Sequence, residues 1–75
     1  MGLKELVRQQ LDQYFEELDG EIPQDLYNLV VGQVEQALLA AVLKQCSHNQ
    51  SKDAAMLGIS RGTLRTRMKL FGLLS

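Results

Sequence analysis

The 75-residue chain predicts an all-α fold, four helices per subunit with a helix-turn-helix at the C-terminal end. Three observations carry that prediction. Apolar residues recur at helical spacing along most of the chain. A single proline and scattered β-branched residues leave little that favours strands. Residues 49–71, NQSKDAAMLGISRGTLRTRMKLF, place caps and a glycine at the intervals that a two-helix turn needs. At 45% hydrophobic and 23% charged, the chain is globular rather than disordered, and its length allows one domain.

Taken in order, Leu3, Leu6, Val7, Leu11, Tyr14, Phe15 and Leu18 form the apolar stripe of a first helix, which Asp19-Gly20 ends. The acids on it, Glu5, Asp12, Glu16 and Glu17, solvate its polar face. After the connector Glu21-Ile22, Pro23 is placed in the first turn of a second helix. That helix runs unbroken to about Gln45, roughly 34 Å at 1.5 Å per residue. Leu26, Val30, Val34, Leu38 and Val42, with Ala37 and Ala41, give it one apolar stripe. Tyr27, Leu29, Val31, Leu39 and Leu43 carry the apolar surface most of the way round. A helix of this kind is buried on nearly all sides, and the remaining short helices cannot cover it. A second copy of the chain can. The expectation is an obligate homodimer, with residues 1–46 as a two-helix dimerisation core and residues 47–75 as the helix-turn-helix unit.

In that unit Asn49 caps a short third helix with Ser51 in its first turn, and Gly58 stops it at a positive φ. After the turn Ile59-Ser60, Ser60 caps a fourth helix whose Leu64, Met68 and Phe71 face inward at i, i+4 and i+7. Arg61, Arg65 and Lys69, four apart, make a basic face, with Thr63 near its start and Thr66 and Arg67 assigned to its flanks. Arg61 follows the cap, at the positive end of the helix dipole, where a cation is mildly unfavourable. Its presence there makes sense if the turn meets an anion, as a recognition helix does in a major groove. The amino end of the third helix, with Asn49 and Ser51, is likewise a seat for phosphate.

Net charge is −1, but its distribution is lopsided. Residues 1–43 hold two cations against eight acids, net −6, while residues 44–75 hold six cations against Asp53 alone, net +5. One end is built for a polyanion. Other chemistries find little support. Cys46 and His48 are two ligands where zinc needs four, and no nucleophile–base–orienter set surrounds Cys46, so no enzyme, metal or cofactor is expected. One cysteine forms no internal disulfide, which fits a reducing cytoplasm. No run is read as a membrane span or a secretion signal. A pure dimerisation module, indifferent to DNA, is the reading from another class.

The chain resembles the Fis family (factor for inversion stimulation) of bacterial nucleoid-associated DNA-binding proteins. The resemblance rests on LYNLVVGQVEQALLAAVL in the long helix and NQSKDAAMLGISRGTLRTRMKLFGLL at the end. The second block is shared more loosely with the C-terminal domains of NtrC-type activators. The resemblance implies an intertwined homodimer whose paired recognition helices enter successive major grooves and bend the duplex. It implies a role in nucleoid organisation and transcription regulation, with RNA polymerase or other transcription proteins as further partners. It assigns Ser60, Arg61 and Arg65 to base-proximal positions, and Asn49, Ser51, Thr63, Arg67 and Lys69 to the DNA backbone. Of these, Arg61 is expected to read a guanine edge. Thr66 and Leu70 stand where the family suggests basic residues, and Asp53 where it suggests alanine. The sequence starts at the first helix, without the family's invertase-engaging arm, so no recombinase stimulation is expected of it.

Overall fold

The structure, a computed structural model, describes residues 2–74. Four helices follow in order: α1 (Leu3–Leu18), α2 (Leu26–Gln45), α3 (Gln50–Leu57) and α4 (Arg61–Leu70), with no strand among the described residues. The expected boundaries hold except at the start of α2. Pro23 lies in the connector, because Asp25 adopts a left-handed φ of 58° that no helix accepts. The helix therefore begins after Asp25, whose carboxylate accepts a hydrogen bond from Asn28 Nδ2 at 2.7 Å.

The core gathers where α2, α3 and α4 meet. Leu39 and Leu43 of α2, Ala54 of α3, and Leu64 and Met68 of α4 are buried together, ringed by Leu57, Ile59, Phe71, Leu73 and Leu74. Burying Leu64 completely contributes about 1.5–3 kcal/mol. Two expectations shift here. The Leu39 and Leu43 side of α2 faces the helix-turn-helix, so the core crosses the boundary drawn at residue 46. Val42, assigned to the dimer stripe, is already 8% exposed within its own subunit.

The other end of the subunit is open. No residue of α1 is buried. It runs back alongside α2 across a groove of about 380 Å³, lined among others by Leu6, Leu11 and Tyr14 of α1 and by Leu26, Val30 and Val34 of α2. Large apolar side chains stand in water: Leu3 at 65%, Ile22 at 87%, Tyr27 at 77% and Leu38 at 49% exposure. The radius of gyration is 15.0 Å, against about 11 Å for a compact chain of this length. By length and composition α2 is apolar enough to cross a membrane, which corrects the expectation that no run reaches that limit. Its Glu35, however, is ion-paired to α4 and its last turns pack on α3 and α4.

Three helix ends share one closure. After α3, Gly58 N–H bonds Ala55 O at 3.2 Å and Ile59 N–H bonds Ala54 O at 3.1 Å. After α4, Gly72 and Leu73 repeat the pattern onto Lys69 and Met68. After α2, Ser47 bonds Lys44 and His48 bonds Leu43, but the left-handed position is held by Ser47 at φ 52° instead of glycine. A side chain there costs about 1–2 kcal/mol, against roughly 0.5–1 kcal/mol of added backbone entropy for glycine. Ser47→Gly is therefore expected to stabilise the protein by up to about 1 kcal/mol, read as a higher denaturation midpoint at unchanged m-value.

Candidate nucleic-acid interface

The caps that place the site are formed as the residues dictate. Asn49 Oδ1 accepts from Lys52 N–H at 3.1 Å and Ser60 Oγ accepts from Thr63 N–H at 3.1 Å. Ser60 Oγ also donates to Thr63 Oγ1 at 2.9 Å, tying the first turn of α4. The cap oxygens of Asn49 and Ser60 are thus committed to their helices, while both residues remain exposed on the surface.

Arg61, Arg65 and Lys69 are exposed along one face of α4. Two of them lean toward the amino end of α3. Arg65 Nη1 donates to Gln50 Oε1 at 3.1 Å, and Arg61 Nη1 lies 3.4 Å from Ser51 Oγ. The two guanidinium groups and the free N–H groups of the α3 terminus form one positive edge, where a polyanion gains charge-assisted hydrogen bonds. Gln50 was not singled out from the sequence. Its place beside Asn49 and Ser51 was the available signal, but the partner fifteen positions away was not visible. Thr66 donates back to Gly62 O at 3.0 Å, and Leu70 is 64% exposed, so neither adds a cation to this surface.

Arg67 departs from its expected place. It is two residues from Arg65, about 200° around a helix of 3.6 residues per turn, on the side that faces α2. There Nε donates to Glu35 Oε2 at 2.5 Å and Nη2 to Glu35 Oε1 at 2.6 Å. The guanidinium also lies 5.7 Å above the Phe71 ring. The hydrogen bond from Arg67 holds the Glu35 carboxyl below its usual range, overcoming the opposing effect of burial. The Arg67 guanidinium is correspondingly held more firmly protonated by that bond.

Behind the interface, Asp53 is fully buried and its two carboxylate oxygens have no hydrogen-bond partner. The Cys46 thiol lies nearby without a well-formed hydrogen bond to it. Burial foremost, and then the Asp53 carboxylate, push that thiol up, which keeps it protonated and a poor nucleophile. Among the described residues no group of three or more His, Cys, Asp or Glu is arranged to hold a metal.

Residues 30–71 match the family described as bacterial regulatory protein, Fis family. The chain belongs to the Fis family. It is 46% identical over 72 residues to a Fis-like DNA-binding protein of Neisseria meningitidis serogroup A, covering 96% of this chain and 91% of that relative. It is 45% identical over 71 residues to the DNA-binding protein Fis of Escherichia coli, covering 95% of this chain and 72% of that one. The Fis of Actinobacillus succinogenes is 46% identical over the same extent. Fis-family membership makes the chain a helix-turn-helix regulatory protein and points away from enzymatic activity.

Proposed function

We propose that this Fis-family protein binds duplex DNA as a homodimer, sets α4 of each subunit in successive major grooves, and bends the duplex between them. The observation that carries the reading is the exposed edge of Arg61, Arg65 and Lys69 beside the capped amino end of α3. Arg61 reads base edges, while Lys69, Ser51 and the α3 terminus meet phosphate. The bare apolar surface of α1 and the first half of α2 supports the dimer. Similarity extends through α1 as well as the helix-turn-helix, which favours the Fis reading over that of an activator's terminal domain. Bacterial nucleoid organisation and transcription regulation, with RNA polymerase among the contacts, follow as the cytoplasmic role.

Fluorescence anisotropy of a labelled duplex of about 27 base pairs, long enough for two grooves one turn apart, tests the reading across a salt series. Arg61→Ala is expected to cost about 1–3 kcal/mol per half-site and to relax sequence preference. Lys69→Ala is expected to weaken all sequences alike and to flatten the salt slope by about 0.9 per subunit. A wild-type protein that ignores duplex at low salt would leave a dimerisation module in place of a DNA-binding protein.

A further inference from the structure

We propose that the Glu35–Arg67 pair is a positioning device, which fixes the tilt of the recognition helix on the dimer core and so sets the DNA bend; this rests on the reading of the protein as a DNA-binding dimer. The pair joins residues 32 apart in sequence, one in the middle of α2 and one in the second turn of α4. Both carboxylate oxygens are engaged by two nitrogens of one guanidinium edge. Such a fork restrains orientation as well as distance, which a single hydrogen bond does not.

Its location gives it leverage. Leu39, one turn further along α2, is buried with Leu64 and Met68 of α4. α3 holds α4 along its length, but directly against α2 the apolar patch alone sets the crossing direction weakly, because hydrophobic contact is non-directional. The ionic fork adds a second anchor about 6 Å along α2, the rise of four residues, and two anchors define a crossing angle. Phe71 sits beneath the guanidinium and also packs against the core, so the fork is backed from α4 as well. A tilt of about 10° moves the end of a ten-residue helix by about 2.5 Å. Two subunits double that displacement, to more than the rise of one base pair, about 3.4 Å.

Arg67 also has no share in the basic face. Its neighbours on the α2 side are Glu35 and Phe71, whereas Arg61, Arg65 and Lys69 lie on the opposite side of the cylinder. The pair therefore acts on DNA geometry without neutralising phosphate, and this separates it from every contact residue.

The test uses full-length protein and a 27-base-pair duplex, about the length spanning two grooves, with donor and acceptor dyes at its ends. Affinity, salt slope and end-to-end transfer are read for wild type, Arg67→Ala, Glu35→Gln, and the exchange Glu35→Arg with Arg67→Glu. Arg67→Ala and Glu35→Gln are expected to keep the wild-type salt slope while transfer efficiency falls and its distribution broadens. The exchange is expected to restore wild-type transfer. A salt slope lower by about 0.9 per subunit in Arg67→Ala, with transfer unchanged, would make Arg67 a phosphate contact and overturn the proposal. Glu35→Gln, nearly isosteric, decides the matter where Arg67→Ala does not fold. A folded, DNA-binding Glu35→Gln with wild-type transfer, or an exchange that bends no better than the single changes, overturns it too. Wild type that fails to bind duplex overturns the DNA reading itself, an outcome separate from these.

Discussion

Leu38→Glu is expected to convert the protein to a monomer and to abolish duplex binding at concentrations where the wild type saturates. Leu38 is 49% exposed in the subunit, so a carboxylate there is tolerable to a lone chain. At a two-fold interface the same substitution buries charge on both sides, and each buried ion costs several kcal/mol even after relaxation. Dimer affinity falls by at least about 100-fold. With the partner lost, α1 and the first half of α2 have nothing to cover them, and helix content falls on dilution. The neighbouring Leu39 supplies the control. It is 3% exposed against α3 and α4, so Leu39→Ala costs about 2–5 kcal/mol by unpacking the helix-turn-helix instead. Sedimentation velocity at low micromolar concentration, with circular dichroism on the same samples, distinguishes the two. A Leu38→Glu protein that remains dimeric would move the interface elsewhere, and a monomeric wild type would remove it.

Asp53→Ala is expected to make the protein more stable. The carboxylate is 0% exposed and neither oxygen has a partner. Leaving one buried polar group unsatisfied costs about 1–3 kcal/mol, and more where it is charged. Alanine removes that cost, which outweighs the roughly 0.3–1 kcal/mol that an acid gains in the first turn of a helix. The gain is at least about 1 kcal/mol, which for a domain of this size raises Tm by about 4–8 °C. Differential scanning calorimetry at matched protein concentration measures it, since the proposed dimer would make Tm concentration-dependent. A lower Tm would show that the Cys46 thiol and the amino end of α3 stabilise the carboxylate by more than its burial costs. DNA affinity is expected to stay at the wild-type level, because Asp53 points away from the basic face.

Much of the interface was legible because its causes are local. The caps at Asn49 and Ser60, the left-handed Gly58 and the register of Arg61, Arg65 and Lys69 depend on bonds and rotations within about four residues. A sequence displays these directly. The similarity to Fis proteins covers this block as well, at 45–46% identity over most of the chain.

The tertiary structure decided what depends on direction over longer distances. Apolar nearly all round, α2 carries no phase in its sequence, so only packing could send Leu39 and Leu43 to the helix-turn-helix and leave Leu38 bare. Asp53 could be seen to sit in a tight position, but its complete burial follows from how closely α3 lies on its neighbours. Arg67 was assigned to the flank of the basic face and, by the family resemblance, to the DNA backbone, although about 200° of rotation from Arg65 turns it toward α2. Its partner, Glu35, is one of eight acids in the stretch with net charge −6, and nothing near it in the chain marks it out. Hydrogen bonds within a helical turn are written in neighbouring residues; an ion pair across 32 positions exists only once two helices have chosen their crossing angle.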